Sequence, residues 1–235
     1  MCQEFPMRAI ARVHSDFPTK FGVPRQSGLV NALESTLVFE PEFRGEDALR
    51  GLEGFSHLWL VWVFHRTARR DWSPTVRPPR LGGNARMGVF ATRSPFRPNP
   101  IGLSAVELAG MERTARWGTV LHLRGADLVD GTPVLDIKPY LPYADCIPEA
   151  LGGFAAAAAG AALAVEIPPE LLERVPPGRR DALRAVLAQD PRPQYQDDRS
   201  RVYGMSFAGL EVRFRVEGDR LTVTEIIPPS VTAEP

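Results

Sequence analysis

Between Arg77 and Arg97 stand five arginines, Arg77, Arg80, Arg86, Arg93 and Arg97, within the stretch Trp72–Leu108. No Asp or Glu falls between Asp71 and Glu107. A guanidinium pairs bidentately with carboxylate or phosphate, so this cluster suits an anionic ligand or RNA held at one place. Pro78, Pro79, Pro98 and Pro100 fix φ beside the arginines, and Gly82, Gly83 and Gly88 allow a ligand close to the backbone. Each arginine can equally close an intramolecular salt bridge.

A second group is acidic: Asp127, Asp130 and Asp136. Three carboxylates this close could serve a cation, ribose hydroxyls or general-base work, or simply cap turns. Other common chemistries find no support. Cys2 and Cys146 form no C-x-x-C, and His14, His57, His65 and His122 show no close ligand pair, so no metal is expected. Gly83 and Gly88 match the start of a phosphate loop, but Val89-Phe90 stand where Lys-Ser/Thr is required. No G-x-G-x-x-G follows a strand, which removes the doubly wound nucleotide fold.

The elements that must position these groups read mainly as strands. Met7–His14 alternates loosely, and a polar loop follows that carries Pro24, Arg25 and Gln26. Ser35–Phe39 is a short strand, and Glu46–Gly51 is one or two helical turns ended by glycine. His57–Phe64 is continuously apolar, which predicts a strand buried on both faces, with His65-Arg66 emerging at its end. Met87–Ala91, Leu103–Gly110, Thr119–Arg124 and Val134–Lys138 are further strands, and Asp130-Gly131 is a hairpin-type turn signal. Short strands at this spacing predict a barrel or a strongly bent sheet.

After Pro148 the composition changes. Ala155–Ala164 marks a boundary, which divides the chain into residues 1–148 and a smaller unit, 149–235. In the latter, Arg179–Gln189 is helical with Leu183, Val186 and Leu187 on one face, and Val202–Phe207, Leu210–Val216 and Arg220–Ile227 read as three antiparallel strands. The predicted fold is mainly β: a single-sheet barrel or a strongly bent sheet, followed by a small α+β domain.

The 235 residues carry 28 basic and 28 acidic side chains, which argues against a polybasic nucleic-acid coat. Of the basic residues only Lys20 and Lys138 are lysines. No apolar run reaches the ~18 residues of a membrane helix, and MCQEFPMRAI lacks the features of a signal peptide, so the expected location is the cytoplasm with no membrane partner.

VPRQSGLV, GLEGFSHLW, WSPTVRPPRLGGNARMGVFATRSPFRPNPIGLSAVEL, DLVDGTPVLDIKPYLPYAD and AQDPRPQY together resemble the TrmO (TsaA-like, YaeB) family over nearly the whole chain. That resemblance implies an S-adenosylmethionine-dependent tRNA methyltransferase. Its expected substrate is N6 of threonylcarbamoyladenosine, just 3′ of the anticodon on the anticodon arm. It also implies a TsaA-like N-terminal β-barrel and a homodimer with the cofactor near the subunit boundary. Carried over motif by motif, the cofactor set is Pro24, Arg25, Gln26, His65, Arg66, Arg93, Leu103, Asp130, Gly131, Thr132 and Pro133. Arg66 stands where a relative carries Gln.

The acceptor nitrogen is a weak nucleophile, its lone pair delocalised into the carbamoyl group, so a base would help. Asp136, Tyr140 and Tyr195 are the candidates for that catalytic role. Arg77, Arg80, Arg86, Arg97 and Arg192 are candidates for tRNA phosphates or the threonyl carboxylate. Two other classes compete: a non-enzymatic RNA- or nucleotide-binding module using the same arginines, and a metal-free hydrolase using the Asp group.

Overall fold

Leu58, Leu60 and Trp62 alternate with Trp59, Val61 and Val63 along the most apolar strand of the chain, and only the first set is buried. The expectation of a strand buried on both faces is corrected: this strand sits in a closed sheet whose inner face alone meets the core. The computed structural model describes residues 3–66, 72–78, 85–158, 162–192 and 200–228.

The first sheet is built from β1 (Ala11–His14), β2 (Glu34–Phe39), β3 (His57–Val63), then β6 (Ile101–Thr114), β7 (Gly118–Arg124) and β8 (Thr132–Pro139). Between β3 and β6, the two-residue strands β4 (Thr75–Val76) and β5 (Met87–Gly88) pair with each other. The order β1-β2-β7-β6-β3-β8 returns to its start, because β8 pairs with β1 at Ala11↔Val134. Six strands therefore form a closed ring, with no free edge among them. Its interior is filled by Val13, Leu37, Leu58, Leu60, Leu121, Leu123 and Val134.

Several sequence expectations change in detail. Met87–Ala91 is a strand only to Gly88, and Val89–Ala91 turns into a 3-10 helix. Leu103–Gly110 is the middle of the longer β6. Asp130-Gly131 does make a turn, with Gly131 at φ +77° and Thr132 N–H bonded to Val129 O at 3.2 Å. It is not a hairpin, since β7 and β8 pair with other strands: β7 with β2 and β6, β8 with β1 and β3.

The second sheet has the order β10-β11-β12-β9, from β9 (Ala164–Glu166), β10 (Tyr203–Phe207), β11 (Leu210–Glu217) and β12 (Arg220–Ile227). The three antiparallel strands read from the sequence are present, and β9 adds a fourth in parallel to β12. The helix Arg180–Ala188 buries Ala182, Leu183, Val186 and Leu187 against this sheet.

The loop after β1 belongs to both halves. Phe17, Val30 and Leu33 are buried in the core of the second sheet, where Phe17 meets Phe207 at 5.3 Å between ring centroids. Burying Phe17 alone stabilises by about 2–3 kcal/mol. Ala208 N–H donates to Asp16 O at 2.9 Å, and Gly22, at φ +92°, lies so close to Met205 that a Cβ would be 2.1 Å from its sulfur. Arg179 adds an ion pair from the start of the helix to Asp16 at 2.8 Å and to Glu34 at 2.6 Å. The loop that carries Pro24, Arg25 and Gln26 is thus clamped between the ring and the second sheet.

Candidate functional site

Arg25 is held in place by backbone it did not come from: its guanidinium donates to Asp190 O at 3.3 Å and Arg192 O at 3.4 Å, in the turn after the helix. Its neighbour Gln26 donates from Nε2 to Arg25 O and accepts at Oε1 from Arg93. Arg93 leaves a turn organised by Thr92, whose Oγ1 donates to Val89 O at 2.9 Å and accepts from Ser94 N–H at 3.2 Å. Side-chain turns of this kind are what Thr and Ser do beside proline. Residues distant in sequence, Gln26 and Arg93, are so joined at one edge of the ring.

Behind them lies a buried polar chain. Trp62 Nε1 donates to Ser104 Oγ at 3.0 Å, and Ser104 Oγ donates to Asp127 Oδ1 at 2.6 Å. Burial pushes the Asp127 carboxyl above the usual carboxylate range, against the Ser104 hydrogen bond and the nearby Arg93 charge. The Ser27 backbone also bonds to it, which ties the Pro24–Gln26 loop to β6. Gly102 is required beside this chain, because a Cβ there would be 2.3 Å from the Trp62 ring. Burial, helped by the Arg66 charge, lowers the His65 pKa and keeps its imidazole neutral near pH 7.

These residues border two cavities. The smaller, about 590 Å³, has apolar walls in Trp59, Trp62 and Phe64, with Lys20, Arg25, Arg66, Arg93 and Arg97 as its basic side chains. Asp127 is the only carboxylate among its described lining residues. The larger, about 1800 Å³, opens towards Phe90, Arg77 and the Asp190–Arg192 turn. Val23, Pro24, Arg25, Gln26, Arg93 and Pro95 line both.

The structure brings together Pro24, Arg25, Gln26, His65, Arg66, Arg93, Leu103 and Thr132 on the smaller cavity. Asp130, Gly131 and Pro133 are outside its lining. Asp130 instead accepts from Ser15 N–H at 3.1 Å, and Gly131 O accepts from Arg12 at 3.4 Å. Asp136 and Tyr140 line neither cavity: Asp136 pairs with Lys138 at 2.9 Å, and Tyr140 packs on Trp59 with ring centroids 5.6 Å apart. Tyr195 and Arg80 lie outside the described residues.

Arg77 lines the larger cavity, and Arg97 the smaller while donating to Thr92 O at 3.2 Å. Arg86 is exposed and lines neither. Arg192 forks onto the Asp190 carboxylate at 2.8 and 2.9 Å, with its side chain only 13% exposed. Asp127 is the residue that sequence reasoning did not assign to the site. Its one signal was membership of the acidic group, and there a site carboxylate and a turn cap look alike.

Residues 12–146 match the family model of the tRNA-methyltransferase O N-terminal domain, and residues 161–229 that of the TrmO C-terminal domain. The chain is 48% identical over 220 residues to an Escherichia coli K12 protein named tRNA (adenine(37)-N6)-methyltransferase, covering 90% of this chain and 93% of that one. A protein of the same name from Eikenella corrodens is 54% identical over 173 residues, 69% of this chain and 92% of the relative. A crystal structure of TrmO from Pseudomonas aeruginosa superposes with a TM-score of 0.78 at 36% identity, over 97% of this chain and 99% of that one.

Proposed function

The chain belongs to the tRNA-methyltransferase O family, and from that membership we propose that it methylates N6 of the threonylcarbamoyladenosine at position 37 of tRNA. S-adenosylmethionine, when bound, supplies an electrophilic methyl on a sulfonium. The residues of the smaller cavity fit such a group. Trp59, Trp62 and Phe64 offer apolar faces to an adenine, Arg93 a bidentate cation to a carboxylate, and backbone groups of the Pro24–Gln26 loop hydrogen bonds.

The observation that carries this reading is the shared wall. Pro24, Arg25, Gln26 and Arg93 border both cavities, so ligands held in the two would meet at that wall. The larger cavity, at about 1800 Å³, has room for a modified nucleoside and its flanking phosphates. Positioning two reactants in line supplies most of what a displacement needs. The acceptor N6 loses its proton as the N–C bond forms, and the products are the N6-methylated nucleoside, S-adenosylhomocysteine and that proton.

We assign the cofactor role to Pro24, Arg25, Gln26, His65, Arg66, Arg93, Leu103 and Thr132. Asp130, Gly131 and Pro133 shape the turn that presents Thr132. Arg77 and Arg86 face tRNA, Arg97 braces the Thr92 turn beside the cofactor, and Arg192 secures the Asp190 turn on which Arg25 rests. Residues 1–148 act as a barrel carrying the cofactor, and residues 149–235 as an α+β domain that completes the substrate side. Asp16–Arg179 and Phe17–Phe207 support a fixed arrangement of the two.

A cytoplasmic homodimer completes the proposal. Leu103 is 56% exposed on the rim of the smaller cavity, beside the half-exposed Val61 of β3, so a partner subunit would close that rim. Calorimetric titration tests the cofactor half directly. Binding of S-adenosylmethionine well below ~1 mM is expected, and no heat in that range would count against the reading.

A further inference from the structure

Trp72 and Phe90 present stacked rings to solvent. Their centroids are 6.3 Å apart at an interplanar angle of 25°, and the residues are 49% and 72% exposed. Leaving two large rings in water costs the stability that burial would give, so their position needs a reason.

The backbone beneath them is fixed. Trp72 precedes β4 and Phe90 follows β5, and the two strands pair at Thr75↔Gly88 and Val76↔Met87. Val89 N–H donates to Pro74 O at 2.9 Å, and Val89 itself is only 1% exposed. The pair is thus mounted on a short ladder anchored by Val89, at the mouth of the larger cavity that Phe90 lines.

Among the described residues of this two-stranded unit the charged side chains are arginines. Arg77 and Arg86 are exposed nearby on the same two-stranded unit, and the segment from Trp72 to Val106 contains no Asp or Glu. Exposed aromatic faces beside arginines suit unpaired nucleobases, where rings stack and guanidiniums meet the phosphates.

We propose that Trp72 and Phe90 form a stacking platform for an unpaired base of the anticodon loop, flanking the adenosine that enters the larger cavity. The identity of the RNA rests on the function proposed above. The platform explains how a single-stranded loop is held open at a cavity mouth without reading its sequence.

The test uses the full-length protein and an anticodon stem-loop carrying threonylcarbamoyladenosine, with 2-aminopurine replacing a neighbouring loop base. Phe90→Ala and Trp72→Ala are expected to raise KM for the stem-loop about 5- to 100-fold, the range for loss of one base–aromatic stack. The fall in kcat should be smaller, and the affinity for S-adenosylmethionine unchanged. Phe90→Tyr should restore both KM and the quenching of 2-aminopurine fluorescence, whereas Phe90→Leu should restore neither. The proposal is overturned if KM is unchanged, if Leu serves as well as Tyr, or if the Ala variants lose a subunit contact instead. If the wild-type protein fails to methylate the stem-loop, the assigned reaction falls, and 2-aminopurine quenching alone then decides the platform.

Discussion

Ser104 and Asp127 meet behind the wall of the smaller cavity, the serine hydroxyl donating to Oδ1 at 2.6 Å. The same hydroxyl oxygen accepts from Trp62 Nε1 at 3.0 Å, so a cavity carboxylate is connected to a buried indole of β3 through one side chain. The folded protein binds the Asp127 proton more tightly than the unfolded chain, because burial disfavours the charge. Stability associated with this group is therefore full below the unfolded pKa of ~3.9 and declines as pH rises through the folded value. Asp127→Asn keeps an acceptor for Ser104 and removes the titration. Its urea midpoint should gain on the wild type as pH rises above the unfolded value of ~3.9. Parallel midpoints above that value would show that the carboxyl carries no penalty.

Arg93 is exposed, and it donates to the Gln26 amide oxygen rather than to an acid. Arg93→Ala should weaken S-adenosylmethionine binding by at least ~10-fold, or about 1.4 kcal/mol. The melting temperature should move by less than ~2 °C, as for surface substitutions generally. Lysine should not rescue binding, since it lacks the planar fork. A large loss of stability with normal binding would make Arg93 a structural residue.

Arg179 bridges the helix of the second domain to Asp16 and Glu34 at 2.8 and 2.6 Å, where the Asp16 side chain is 17% exposed. Burial raises the Asp16 pKa despite the arginine, so removing the cation leaves a poorly solvated carboxyl. Arg179→Ala should cost about 1–3 kcal/mol in denaturant unfolding, and Lys should recover part of it. A loss under ~0.5 kcal/mol would mean that the apolar contact of Phe17 with Phe207 alone carries the junction.

How much of this could be read beforehand depended on the range of the interactions. The helix Arg180–Ala188 and β12 were legible because their patterns, Leu183/Val186/Leu187 and alternating Arg220–Ile227, are local. β3 misled because a continuous apolar run describes two buried faces as well as one buried face and one left half-exposed. Asp127 and Asp136 were indistinguishable by type, yet Asp127 lies in the loop between β7 and β8 and reaches the cavity wall, while Asp136 pairs with Lys138 of its own strand β8. The parallel β9–β12 pairing joins residues over 50 positions apart, beyond any local signal. The Pro24–Gln26 and Arg93 turns, which meet in space, were brought together by the family resemblance and not by any local pattern.

Methylation of tRNA by the purified protein is the most direct test. tRNA from a strain lacking the endogenous activity is incubated with the purified protein and S-adenosylmethionine, and its nucleosides are resolved by mass spectrometry. The threonylcarbamoyl nucleoside should gain the mass of one methyl, and fragmentation should place it on N6 of the base. An unchanged nucleoside, or a methyl found on another residue of the tRNA, would contradict the assignment.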